Sequence, residues 1–420
     1  MRRYRESIRI VTFVFVVLLL AGFWSFYRSR NPVSEIRTLA RYRFLTTTTN
    51  DMPKEISTLE AKVAVRPTDP MDLNELAARY VREAQRTGDT DWYAKAEAVA
   101  QRSLKALASP NPAKMILAQV AESNHRFDDA IQWAERAMKD RPSVGALQVI
   151  ATSYLAKGDF TKANQYADQL VDRRPGPDTL LTRGLVRAAQ GRNREAVFDF
   201  RRAVQLEDFG DPLGAARLRT LWARTLIGTR EYTAAGALLE EALRIVPQYH
   251  LALAIRGELE MAEGQYGRAA DSLMQAFSNS KQVHYLVLYA RAKSKLGERA
   301  AAEEMWDRSE KIVRANLTES EFGHRLDLVQ ILVDRGRPED LKAAVPLARE
   351  ELAIRRNSET LFYLAKAYVL QKDWPRARDA MSELLGRGLE RPEHYALAAE
   401  IQRALGYLPH AEFYTQLAQP

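Results

Sequence analysis

Six histidines, His125, His250, His284, His324, His394 and His410, are the residues best suited to hold a metal or move a proton near neutral pH. Their spacing argues against both uses. None lies within a helical turn of another, no H-E-x-x-H sequence occurs, and three ligands would have to converge from distant segments. The chain has no cysteine, which removes disulfides, thiolate ligands and a thiol nucleophile. It also lacks G-x-G-x-x-G, G-x-x-x-x-G-K-[ST] and G-x-S-x-G, so neither a phosphate cradle nor a nucleophile elbow is encoded. Carboxylate pairs such as Glu240-Glu241 and Glu303-Glu304 fall in helical pattern, where acidic surfaces are ordinary. The expectation is a chain that is not an enzyme and that uses no metal or cofactor.

What remains is recognition, and the charge balance limits its kind. Across 420 residues, 62 basic and 54 acidic side chains give a net charge of +8, with the two signs intermixed. A nucleic-acid partner would need a localised basic stripe, which this mixing does not supply. Stacked sugars favour exposed aromatics, whereas Trp222 and Trp306 fall at positions expected to pack. His125 and His250 are read as surface imidazoles at turns.

The elements that would position a recognition surface follow from small residues that return at fixed distances. Ala130, Ala134 and Ala137 precede Pro142; Ala163 and Ala167 precede Pro175; Ala196 and Ala203 follow. Turn positions Gly158, Gly191, Gly264 and Gly297 are separated by 33, 73 and 33 residues. The middle interval holds two units, one lengthened around Asp208 to Pro212. A small residue where two helices cross allows close backbone approach, and Leu, Tyr, Phe or Trp a turn away fills the space beside it. A two-helix unit still exposes apolar surface, which the next unit covers.

Ahead of the repeats, residues 1–9 form a basic flank and residues 10–27, IVTFVFVVLLLAGFWSFY, carry no charge. At 1.5 Å per residue that run spans roughly 27 Å, enough for one bilayer crossing. It is read as an uncleaved transmembrane signal anchor, whose arginine-rich leader points to a cytoplasmic amino terminus and an extracytoplasmic body, while Arg28, Arg30, Arg37, Arg41 and Arg43 on the far flank keep a cytoplasmic body as the competing case. Residues 28–55 are a juxtamembrane linker. Val33, Ile36, Ala40 and Phe44 recur there at helical spacing, which fits either an amphipathic helix on lipid or a plain linker helix. Residues 56–110 read as a divergent helical repeat and residues 111–420 as the solenoid proper.

The small residue in helix one, the aromatic before the turn, the turn glycine, the Ala-x-x-x-aromatic/Leu-x-x-Ala series and the closing proline together resemble the tetratricopeptide repeat family. The resemblance implies an all-α, right-handed superhelical solenoid of about ten antiparallel helix pairs, here preceded by a single transmembrane helix. It implies a scaffold or adaptor that assembles partner proteins at the bacterial inner membrane, or else a structural subunit of a permanent membrane, secretion or polysaccharide-export complex. The first helices would line the concave face, presenting Gln119, Gln148, Thr152, Arg217, Arg224, Glu258, His284, Arg291, Lys295, Phe362 and Lys366. Leu181, Leu185 and Thr220 belong to the same expected face. Its arginines and lysines suit an acidic segment or a chain carboxylate, and its apolar members an amphipathic helix. The lipid bilayer would be a second partner through residues 10–27, and the oligomeric state is left open.

Overall fold

The computed structural model describes residues 52–208, 210–319, 325–389 and 391–419. A leading helix, α1 (Met52–Val65), is followed by ten helix pairs. Units 1 to 3 are α2 (Pro70–Thr87) with α3 (Asp91–Ala106), α4 (Ala113–Ser123) with α5 (Phe127–Asp140), and α6 (Val144–Lys157) with α7 (Phe160–Arg173). Units 4 to 6 are α8 (Pro177–Ala188) with α9 (Asn193–Gln205), α10 (Pro212–Gly228) with α11 (Tyr232–Ile245), and α12 (His250–Ala262) with α13 (Tyr266–Ser280). Units 7 and 8 are α14 (Val283–Lys295) with α15 (Arg299–Glu319), and α16 (Arg325–Arg335) with α17 (Pro338–Ile354). Units 9 and 10 are α18 (Ser358–Leu370) with α19 (Trp374–Leu385), and α20 (Pro392–Ala404) with α21 (Leu408–Ala418).

One local device makes most of these hairpins. The residue after the first helix turns left-handed, and the next N–H reaches back five residues to an unpaired helix carbonyl: Asp159 to Tyr154 (2.9 Å), Arg192 to Arg187 (3.0 Å), Gln265 to Glu260 (2.7 Å) and Asp373 to Tyr368 (2.9 Å) among them. The left-handed residue is Gly158, Gly191, Gly264, Gly297 or Gly406 in some units, but His125, Arg230 or Lys372 in others. Helix starts are fixed as economically. Ser143, Asp159, Asp211, Asn357 and Asp373 each accept a hydrogen bond from a first-turn N–H.

Ala163, Ala196 and Ala269 are fully buried where helices cross. Glycine plays the same part at Gly184 and Gly257, where an added Cβ would lie 2.5 Å from the Phe200 ring and 2.6 Å from Leu273. Trp222 and Trp306, each 1% exposed, fill the adjoining space. α1 caps the stack with Met52, Ile56, Leu59 and Val63 on one buried face. At the other end α21 buries Ala411 and leaves Leu408, Phe413 and Leu417 exposed.

The stack coils tightly enough to meet itself. The turn of unit 1 lies against the exit of unit 6, with Gln282 Nε2 donating to the Gly88 carbonyl at 3.4 Å. At the turn of unit 3, Arg356 N–H donates to the Lys157 carbonyl at 3.1 Å, and Asn357 Nδ2 to the Ala156 carbonyl at 3.0 Å. The turn of unit 4 abuts Gly388, and the Arg230 guanidinium of unit 5 donates to the carbonyls of Ala418 and Gln419. In each case the partner is the exit of the unit five further along.

The expected membrane crossing is corrected. Residues 10–27, with the flank at 1–9 and the linker up to 51, lie outside the described residues. Among the described residues no helix is long and apolar enough to cross a membrane. The inner-membrane location, the extracytoplasmic body and the bilayer partner all rested on that segment, so they are withdrawn with it.

Candidate functional site

First helices of neighbouring units touch along the inside of the coil, so their outward-turned faces converge on a shared lumen. None of the eleven residues expected on the concave face is buried, and Arg224 and Lys295 are the most exposed of them. Arg224 shows the character of the place: it leaves 46% of its side-chain surface open, yet protein surrounds it densely. Two neighbours expected on this face do not reach it. Leu181 and Thr220 are buried, the Thr220 hydroxyl donating to its own helix at the Ala216 carbonyl, 2.8 Å away.

Charges act across the lumen between units distant in sequence. Arg217 in unit 5 faces Glu122 in unit 2, and Glu359 in unit 9 bears on both Arg224 in unit 5 and His284 in unit 7. Burial pushes the Glu122 carboxyl up to about 7, against the opposing effects of a Thr152 hydrogen bond and the Arg217 charge. Most lumenal cations are already paired. Arg291 holds Asp334 at 2.6 Å and the Tyr363 hydroxyl at 2.7 Å, while Lys366 holds the other Asp334 oxygen at 2.8 Å. Arg224 meets Glu258 at 3.3 Å. Arg217 and Lys295 have no hydrogen bond or ion pair among the described residues.

Sequence reasoning placed Glu359 on this face but missed Asp327, Asp334 and Tyr363, which complete the polar wall. Asp334 closes a helix that reads LDLVQILVDRG, where an acid at the helix end carries no sign that two cations from other units converge on it. The histidines also differ from expectation. His250 is 7% exposed rather than at the surface, its Nδ1 lying 2.9 Å from the Tyr285 hydroxyl. His324 lies outside the described residues.

Their environments set opposite responses to pH. Burial holds the His250 and His394 imidazoles below their ordinary value. Burial would lower His284 as well, but Asp327 at 3.4 Å, with Glu359 and Glu258 behind it, overcomes that and raises it. A raised folded pKa stabilises fully below the unfolded value of about 6.5 and loses its effect as pH climbs through the folded value. A lowered one stabilises above about 6.5 and costs stability as pH falls. Denaturation of His284→Gln and His250→Gln between about pH 5 and about pH 8 should therefore diverge. The deficit of His284→Gln should grow toward acid and that of His250→Gln should shrink; parallel curves would remove both assignments.

Profiles of the tetratricopeptide repeat match residues 149–211 and 220–280, and a further one matches residues 359–387. Together these matches cover well under half of the chain. They coincide with units 3 to 6 and unit 9. No curated protein matches the chain in sequence. Among solved structures, the Cut9–Hcn1 hetero-tetramer of the APC/C aligns over 87% of this chain and 61% of that chain, at 11% identity and a TM-score of 0.50. At that identity the likeness shows the fold alone, and the chain spans under two thirds of its relative's length. PilW, a type IV pilus biogenesis factor, aligns over 50% of this chain and 94% of its own at 22% identity and a TM-score of 0.38. A tetratricopeptide repeat protein from Parabacteroides merdae aligns over 58% and 92% at 16% identity and a TM-score of 0.40.

The matched repeat profiles and the paired-helix architecture are consistent with a chain that is not an enzyme. Among the described residues no group of three or more His, Cys, Asp or Glu side chains is placed to hold a metal.

Proposed function

We propose that the protein is a scaffold that binds a segment of another protein within the lumen of its coiled tetratricopeptide repeats. The supporting observation is the contrast between cations already neutralised, Arg224, Arg291 and Lys366, and the unpaired Arg217 and Lys295 on the same wall. Arg217 faces Glu122 without forming an ion pair with it, so its guanidinium can still grip a carboxylate with paired donors. The occupant that fits is therefore an acidic segment. Its apolar positions would meet Leu155, Leu185 and Phe362, all half-buried beside the polar groups.

Photo-crosslinking tests this reading. A benzophenone amino acid in place of Gln148 should give a discrete protein adduct, whereas the same group in place of Phe198, 62% exposed on α9, should not. Arg217→Glu should reduce the Gln148 adduct roughly tenfold, the cost of setting like charges together in a recognition site. Adducts from Phe198 alone, or a Gln148 adduct indifferent to Arg217→Glu, would overturn the lumenal site.

A further inference from the structure

The ten turns use one backbone geometry but not one residue, and that inequality carries information. His125, Arg230 and Lys372 hold the left-handed position with φ of 58°, 64° and 60°, so the turn itself accepts a side chain. Gly264, Gly297 and Gly406 have nothing within 4 Å of an added Cβ. Gly158 and Gly191 are different. A Cβ on Gly158 would collide with the Arg356 carbonyl, and one on Gly191 with the carbonyl of Gly388, whose own Cβ would lie 2.9 Å from the Gln190 carbonyl. Glycine at these turns makes room for the next turn of the coil.

The contacts made there are polar and thin. Besides the Arg356 and Asn357 bonds already described, Arg387 Nη1 donates to the Gly158 carbonyl at 3.3 Å. The side chains of Arg356 and Arg387 share Glu383, at 2.7 and 3.1 Å, which holds both at the junction. Hydrogen bonds of this kind are worth little net and are readily exchanged for water. The hairpins, by contrast, are held by buried Ala, Leu, Phe and Trp contacts. Parting along this line would break these polar contacts and leave the apolar packing within each hairpin intact.

We propose that this seam is a latch: closed, it seals the side of the lumen, and its parting admits a polypeptide to the lumenal wall. The inference rests on the reading of the lumen as the binding surface, but the latch itself is measurable without a partner. Because the chain has no cysteine, Gln148→Cys gives a single lumenal reporter. Its reaction with N-ethylmaleimide and with a polymer-conjugated maleimide measures small and bulky access separately. Arg202→Cys, on the exposed face of α9, gives the unhindered rate.

With the seam intact, the polymer reagent should react with the lumenal thiol far more slowly than with Arg202→Cys. Gly158→Asn and Gly191→Asn should speed the polymer reaction at least about tenfold, the equivalent of one or two lost hydrogen bonds in the closed form. The small reagent's rate should stay unchanged. Gly264→Asn and Gly297→Asn impose the same backbone strain away from the seam and should change neither rate. Where a glycine variant does not fold, Asn357→Asp replaces it. The carboxylate still accepts the Thr360 N–H that starts α18, but it sets oxygen against the Ala156 carbonyl. Polymer access equal to that of Arg202→Cys in the intact chain would overturn the latch, as would seam variants no faster than the control glycines. An opened seam with no lumenal crosslinks would retain the latch and remove only the proposed binding role.

Discussion

Replacing Trp222 by alanine should lower the unfolding free energy by about 3 to 5 kcal/mol, the range for emptying a large aromatic site in a packed core. Trp222 is 1% exposed, its ring lies 5.9 Å from that of Phe200, and Phe200 in turn rests on the space left by Gly184. Unit 4 and unit 5 are joined through this stack, so little can collapse to fill the void. The indole N–H finds no acceptor among the described residues. Trp222→Phe relieves that unpaired donor while losing part of the volume, and should fall within about 1.5 kcal/mol of the natural chain. Urea denaturation of both variants checks the argument. A Phe variant as damaged as the Ala variant would mean that shape and not volume holds the junction.

Arg335→Met should cost as much, about 3 to 5 kcal/mol, for an electrostatic reason. Arg335 is 5% exposed and holds Asp340, Asp307 and Glu310 at 2.6 to 2.7 Å, tying α16 to both α15 and α17. Its guanidinium is held above its ordinary value by those hydrogen bonds and charges. Removing it strands Asp340, itself 5% exposed, beside two further carboxylates. A double variant, Arg335→Met with Asp340→Leu, should recover part of the loss, because it removes the stranded charge.

What the sequence disclosed about this fold is what adjacent residues decide among themselves. Ala163, Ala196 and Ala269 mark crossings between helices of one hairpin, and the glycines at 158, 191, 264 and 297 mark turns closed by bonds five residues long, so spacing alone reveals them. The lumenal pairings were not legible, because Arg291, Asp334 and Lys366 come from three successive units and each looks like an ordinary surface charge in its own helix. The seam was hidden more deeply. Gly158 and Gly264 occupy the same place in the same motif, and only the coiled chain shows that one faces another backbone and the other faces open space. Thr220 failed for a local reason: a threonine hydroxyl can turn back onto its own helix, which lets a polar residue sit in the core.

Contacts between residues 156 and 357, 158 and 387, or 88 and 282 join points about two hundred positions apart in the chain. Stacked repeats ordinarily grow by neighbour-on-neighbour addition, with each unit gaining its stability as it docks. Here the early units must emerge from the ribosome and stand with one flank unsealed until the late units arrive. Assembly accordingly divides into rapid zippering of local pairs and a final long-range closure, whose loop entropy only a completed chain can offset.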